Sequence, residues 1–312
     1  MTSKQKHPSI FYPCVKLDTI QNLPTQQKQN QQKQLIKIKK LTPSLKNEIA
    51  MSEHIIANIP NYSRHFSPVI KHSLISLAEI DDDIVPISRQ STQSGHVLLT
   101  MAASSPINKT IPTKTIPTKT IIHDYLYLLT ALQILESNQL VHGNINWDNI
   151  HYNTTNQLLL SDFSYSFDFK RINKERKRNL IPSIPSIPSI ELFIAQKLSK
   201  THTSLSVNII DELCDEYITS LQYPTYPYKD ALIFSLIPFI NRSNESIIND
   251  LLDKYLLTWY TIDNYSLSVL YLRLCGQRQD HFTKILLQNI HPDITKRLTL
   301  NQTFYNIETC IS

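Results

Sequence analysis

Between Leu140 and Ser164 the chain reads Leu-Val-His-Gly-Asn-Ile-Asn-Trp-Asp-Asn-Ile and then, past a polar turn, Leu-Leu-Leu-Ser-Asp-Phe-Ser. That spacing puts His142, Asn144, Asn149 and Asp162 on two adjacent loops, each leading into or out of a short apolar strand. Imidazole and carboxylate groups move protons or hold cations, and amides position what they hold. The chemistry has a visible limit at Asn144, because a neutral amide is no base at neutral pH.

Loops of this kind need a framework, and the flanking patterns supply one. Gln34 to Lys40 alternates with period two, with Leu35, Lys37 and Lys39 on one face and Ile36 and Ile38 on the other, which predicts a strand. Pro43 and Ser44 then start a helix over Leu45 to Ile59. Further strands are expected over Val69 to Ile80 and His96 to Met101. Asp81-Asp82-Asp83 reads as a solvated turn, since consecutive strand residues cannot all face one ion. Over Ile122 to Asn138, Tyr125, Leu128, Leu129, Leu132 and Leu135 make the apolar face of an amphipathic helix. Helical patterns resume over Glu191 to Leu198, Ile209 to Leu221, Asp230 to Ile237, Glu245 to Leu257, Ile262 to Leu274, His281 to Ile290 and Thr299 to Ile311. The chain is therefore expected to be α+β, strand-rich before residue 101 and helix-rich after residue 121.

Composition narrows the classes. A chain of 312 residues with 41% hydrophobic content can build one large two-lobed domain or two small ones. No membrane span is expected: the longest apolar run, Ala231 to Ile240, is broken by Ser235 and Pro238 and falls short of the roughly 20 residues a bilayer needs. Met1 to Lys16 lacks the apolar core of a secretory leader. Cys14, Cys214, Cys275 and Cys310 have no metal-ligand spacing, so free thiols in a reducing, intracellular compartment are expected. The net charge of +5 is not evenly spread, since residues 1–50 hold nine lysines against only Asp18 and Glu48. After an expected strand at Ile10 to Leu17, this arm becomes a low-complexity Gln/Lys run. Residues 104–120 repeat Thr-Ile-Pro-Thr-Lys, and Pro106, Pro112 and Pro117 forbid a helix there. A second basic stretch, Lys170 to Arg178, precedes three copies of Ile-Pro-Ser. It contains no aromatic residue, so a solvated loop is favoured over a nucleic-acid contact.

From about residue 34 onward the chain resembles the protein kinase superfamily. His142-Gly143-Asn144-Ile145-Asn146-Trp147-Asp148-Asn149 follows the family's H-R-D-L-K-x-x-N frame, Asp162-Phe163-Ser164 stands at its D-F-G, and eighteen residues separate Asn144 from Asp162. The resemblance implies a two-lobed fold: a basic segment (1–33), a reduced β-rich N-lobe (34–103), a linker or insertion (104–120) and a helical C-lobe (121–312) with an added helical segment around 195–258. It implies that Lys37 holds the ATP phosphates with Glu48 as its helix partner, Lys39 and Glu53 being the fallback pair. Asn149 and Asp162 would bind Mg²⁺, and His142 would be architectural. Asp263 would brace the catalytic loop from a buried helix, and Glu191 would pair with Arg297.

Three departures bear on activity. Asn144 stands where the base aspartate belongs, a loss that typically costs about 10²- to 10⁴-fold. Asn146 replaces the lysine that steadies the transferred phosphate, and no glycine precedes Gly95, so no glycine-rich loop can close over phosphates. The expectation is a pseudokinase that works as a regulatory or scaffolding binder of a protein partner and retains weak binding of ATP and Mg²⁺. The alternatives are a divergent active serine/threonine kinase and, third, a basic nucleic-acid-binding protein. The divergence also resembles kinase-like proteins of large DNA viruses, which implies host cytoplasm or virion.

Overall fold

The computed structural model describes residues 34–75, 95–102, 104–106, 118–172, 188–201, 205–223 and 226–311. The expected strand at Ile10 to Leu17, the polar N-terminal run, the Asp81-Asp82-Asp83 turn, most of the Thr-Ile-Pro-Thr-Lys repeat and the basic run beyond Ile172 lie outside these residues.

The chain is α+β. Strands β1 (Gln34–Lys40), β3 (Val69–Ile75) and β4 (His96–Ala102) form an antiparallel sheet in the order β1-β4-β3. On central β4, Val97, Leu99 and Met101 alternate inward and pack with Leu45 and Val69. Leu45 comes from helix α1 (Pro43–Asn58), which begins where the chemistry of its first turn allows. Thr42 Oγ1 accepts the Leu45 N–H at 3.1 Å, and Pro43 occupies the first position, where a missing N–H leaves no bond unmade. The Val69 N–H donates to Ser52 Oγ at 3.0 Å, fastening the helix to the start of β3.

Helix α2 (Thr118–Ser137) begins four residues earlier than the apolar periodicity predicts. Pro117 is the last ring that bars a helix, and nothing in the sequence beyond it opposes one. Tyr125, Leu128, Leu129, Leu132 and Leu135 are all buried in the largest core cluster.

The two polar loops hang from strands too short to print a period-two pattern, so the expected division at residues 101 and 121 is less clean than the composition suggests. β2 (Phe66–Ser67), β5 (Ser105–Pro106), β7 (Ile150–Tyr152) and β8 (Leu158–Ser161) form a sheet in the order β2-β8-β7-β5, with β2 parallel to β8. β6 (Leu140–Val141) pairs antiparallel with β9 (Phe167–Asp168). One loop therefore runs from β6 to β7 and the other from β8 to β9.

The remaining helices are α3 (Ile190–Lys200), α4 (Val207–Leu221), α5 (Lys229–Leu236), α6 (Asn244–Leu257), α7 (Trp259–Cys275), α8 (His281–Asn289) and α9 (Leu300–Ile311). Helix α7 is buried all round from Thr261 to Leu272, so its polar side chains need internal partners. Asn264 and Ser268 have them: Tyr125 Oη donates to Asn264 Oδ1, Asn264 Nδ2 to Thr303 Oγ1, Thr303 Oγ1 to Asn289 Oδ1 and Asn289 Nδ2 to Ser268 Oγ, each at 3.0 Å. This ring of bonds joins α2, α7, α8 and α9 through one satisfied network. Among the described residues, no helix is long and apolar enough to cross a membrane. Cys214 and Cys275 are buried free thiols, and burial pushes the Cys214 thiol up to about 12.

Candidate functional site

The first loop starts at His142, which is fully buried, and its backbone is set by a carboxylate from below. Asp263 on α7 accepts the N–H of His142 at 2.7 Å and that of Gly143 at 2.9 Å. Gly143 has φ +74°, and a Cβ there would lie 2.7 Å from the Tyr165 carbonyl oxygen, so glycine is required for both reasons. The Asn144 N–H points at His142 Nδ1 at 3.3 Å, so the ring proton sits on Nε2 and is donated to the Ser161 carbonyl at 3.0 Å. Burial lowers the His142 pKa, against the pull of Asp263 and Asp162. The ring is neutral and joins the two loops, while burial raises Asp263, which His142 and its two backbone donors oppose.

Asn144 is buried and its oxygens are occupied by its neighbours. Asn149 Nδ2 donates to the Asn144 carbonyl at 2.9 Å, and Asn146 Nδ2 lies 3.1 Å from Asn144 Oδ1. Asn146 Oδ1 in turn accepts the Asp148 N–H at 2.8 Å, capping the short turn Trp147–Asn149. Asp148 itself is exposed. The second loop turns at Asp162, whose φ of 63° is left-handed and whose Oδ1 accepts the Ser164 N–H at 3.3 Å. Such a conformation is uncommon outside glycine and is tolerated by aspartate. Ser161 Oγ donates to the Asn149 carbonyl and Ser166 Oγ to the His142 carbonyl, sewing the loops together.

The third side of the site comes from β1 and α1. Glu48, with its side chain 3% exposed, meets Lys39 at 3.0 Å, not Lys37. The reason is geometric. Lys37 and Lys39 share a face of β1, and the turn into α1 is so short that Glu48, about 7.5 Å along the helix, reaches the nearer lysine. Glu53, the other member of the fallback pair, is mostly exposed and lies 3.9 Å from His72. Burial raises the Glu48 pKa, Lys39 pulls it back, and Asp162 and Lys37 act on it from further away. Burial lowers His151 on β7, and there too Lys37 and Asp162 both contribute. Lys37 and Asp162 thus act on both Glu48 and His151, and Lys39 on Glu48.

Below the loops, Arg297 Nη2 lies 2.7 Å from Glu191 Oε1, with side chains 2% and 4% exposed. Arg297 also donates from Nε to the His291 carbonyl and sits 4.9 Å over the Tyr265 ring. The structure therefore brings His142, Asn144, Asn146, Asn149, Asp162 and Asp263 into one bonded unit and holds Glu191 with Arg297 beneath it. Sequence patterns miss Asn47, Ser161 and Ser166, which fasten this unit, and Ser52, which fastens α1 to β3. Small polar residues carry no periodicity, and their bonds span separations as large as 119 residues.

Among the described residues, no three His, Cys, Asp or Glu side chains gather to hold an ion. A divalent cation here would take oxygens from Asp162 and Asn149 and complete its shell with phosphate and water. The donors fit: Asn149 spends its amide nitrogen on Asn144, which leaves its oxygen as the coordinating atom. No family model matches the chain, and no curated protein matches it.

Proposed function

We propose that the chain has a two-lobed protein-kinase-like fold and works as a catalytically impaired, regulatory or scaffolding binder of a protein partner, with weak binding of Mg²⁺ and ATP in the space between β1, α1 and the two loops. Lys39, held by Glu48, and Lys37 beside it supply positive charge for phosphates, while Asp162 and Asn149 supply oxygens for the cation. When bound, Mg²⁺ neutralises charge on the phosphates.

The observation that carries the reading is Asn144. The loop around it is fully built and anchored on Asp263, but its side chain is an amide whose oxygen faces Asn146. Such a loop can position a ligand and cannot take a proton from a substrate hydroxyl. Phosphoryl transfer also draws on positioning and electrostatics, so a divergent active serine/threonine kinase is the opposing outcome.

A thermal titration with ATP and Mg²⁺ tests the binding half, because a ligand of the native state alone stabilises it by about 2.7 kcal/mol at a hundredfold excess over Kd. No shift removes the nucleotide. Incubation with labelled ATP and a generic protein substrate tests the other half: turnover that Asp162→Ala abolishes would overturn the pseudokinase reading.

A further inference from the structure

We propose that Asn47 is a positioning residue that makes α1 and the Asp162 loop one coupled body, so that the cleft is held assembled before any ligand arrives. Asn47 directly precedes Glu48 on α1, and its Nδ2 donates to the carbonyls of Ser166 at 2.8 Å and Ser164 at 2.9 Å, with the Phe163 carbonyl at 3.5 Å. A side-chain amide has two N–H donors, and the two short bonds use both. The accepting carbonyls belong to the turn that follows Asp162.

That turn is gripped from its other side as well. Ser166 Oγ donates to the His142 carbonyl at 2.9 Å, and the Tyr165 carbonyl oxygen lies 2.7 Å from where a Cβ on Gly143 would be. The turn is thus clamped between α1 and the first loop. Helix α1 has an independent anchor to the sheet, the Ser52 to Val69 bond, nearly a turn and a half away from Asn47. The two anchors do different things: Ser52 places the helix on its sheet, and Asn47 ties Glu48, and through it Lys39, to the loop that carries Asp162. Leucine at position 47 keeps the bulk without the donors, and aspartate turns oxygens toward oxygens.

The consequence for ligand binding rests on the nucleotide reading above; the coupling itself does not. Hydrogen exchange without nucleotide on the wild-type chain and on Asn47→Leu, Asn47→Asp, Asn47→Gln and Ser52→Ala measures the coupling. Losing both donors should speed exchange in α1 and at 163–166 together, on the order of tenfold, with Asn47→Gln closer to wild type. Ser52→Ala should speed α1 and β3 and leave 163–166 alone. Unchanged exchange at 163–166 in Asn47→Leu and Asn47→Asp, or an equal response there to Ser52→Ala, would overturn the proposal. Titrating the same proteins with ATP and Mg²⁺ separates positioning from mere support. A positioning residue diminishes the ligand-induced shift, whereas a supporting one lowers the unliganded midpoint and leaves the shift intact. If the wild-type chain shows no shift, the nucleotide reading fails while the exchange result still decides the coupling.

Discussion

Asp263 and Glu48 are both buried carboxylates, one beneath the first loop and the other across from Asp162, yet they are held by different kinds of donor. Asp263 accepts two backbone N–H groups whose positions are fixed by the chain. Glu48 meets one ammonium at the end of a flexible side chain that is 39% exposed. The support under the loops is therefore buried and made through the backbone, with the buried Glu191–Arg297 pair packed on Tyr265 of the same helix, whereas Glu48 depends on a side chain that reaches solvent. Position and chemistry differ between the two: the loop is held by Asp263 through its backbone, and the side chain it presents at position 144 is an amide.

The largest effect should come from Arg297→Ala, which leaves Glu191 buried without its partner and should cost about 3–5 kcal/mol in chemical denaturation. Next, Asp263→Asn turns one acceptor into a donor facing a backbone N–H and should cost roughly 1–3 kcal/mol. Lys39→Met should cost only about 1 kcal/mol, because water already screens the exposed ammonium. A Lys39→Met loss as large as that of Arg297→Ala would erase the contrast between the two regions.

The subtlest difference lies in pH. Burial raises Glu48 above its ordinary 4.5, so its contribution to stability is present below that value and is lost as pH rises through the folded pKa. Burial lowers His142 below its ordinary 6.5, so its contribution is present above that value and is lost as pH falls through the folded pKa. Glu48→Gln should flatten the decline of unfolding free energy that sets in as pH rises past 4.5, and His142→Gln the decline that sets in as pH falls past 6.5. Both variants flattening the same limb would refute this assignment.

Local rules made much of this legible. The alternation in Gln34–Lys40 and the apolar face at Tyr125 to Leu135 are period signals, and both mark real elements. The grouping of His142, Asn149 and Asp162 followed from spacing within two loops that the structure does bring together. The lysine that meets Glu48 was not legible, because a period of two puts Lys37 and Lys39 on the same face and only the turn into α1 decides between them. Asn47 was hidden for another reason: its bonds reach backbone carbonyls, which every residue possesses and no sequence marks.

Gly143 bears on how this chain could change. Asparagine and aspartate codons differ by a single base, so Asn144→Asp is one mutation away. The neighbouring site offers no such freedom, since any side chain there would collide with the Tyr165 carbonyl. An arginine at 143 would require the second loop to be rebuilt first. Two adjacent positions therefore differ in what they tolerate: position 143 is closed by the backbone of the second loop, while position 144 is not closed in that way.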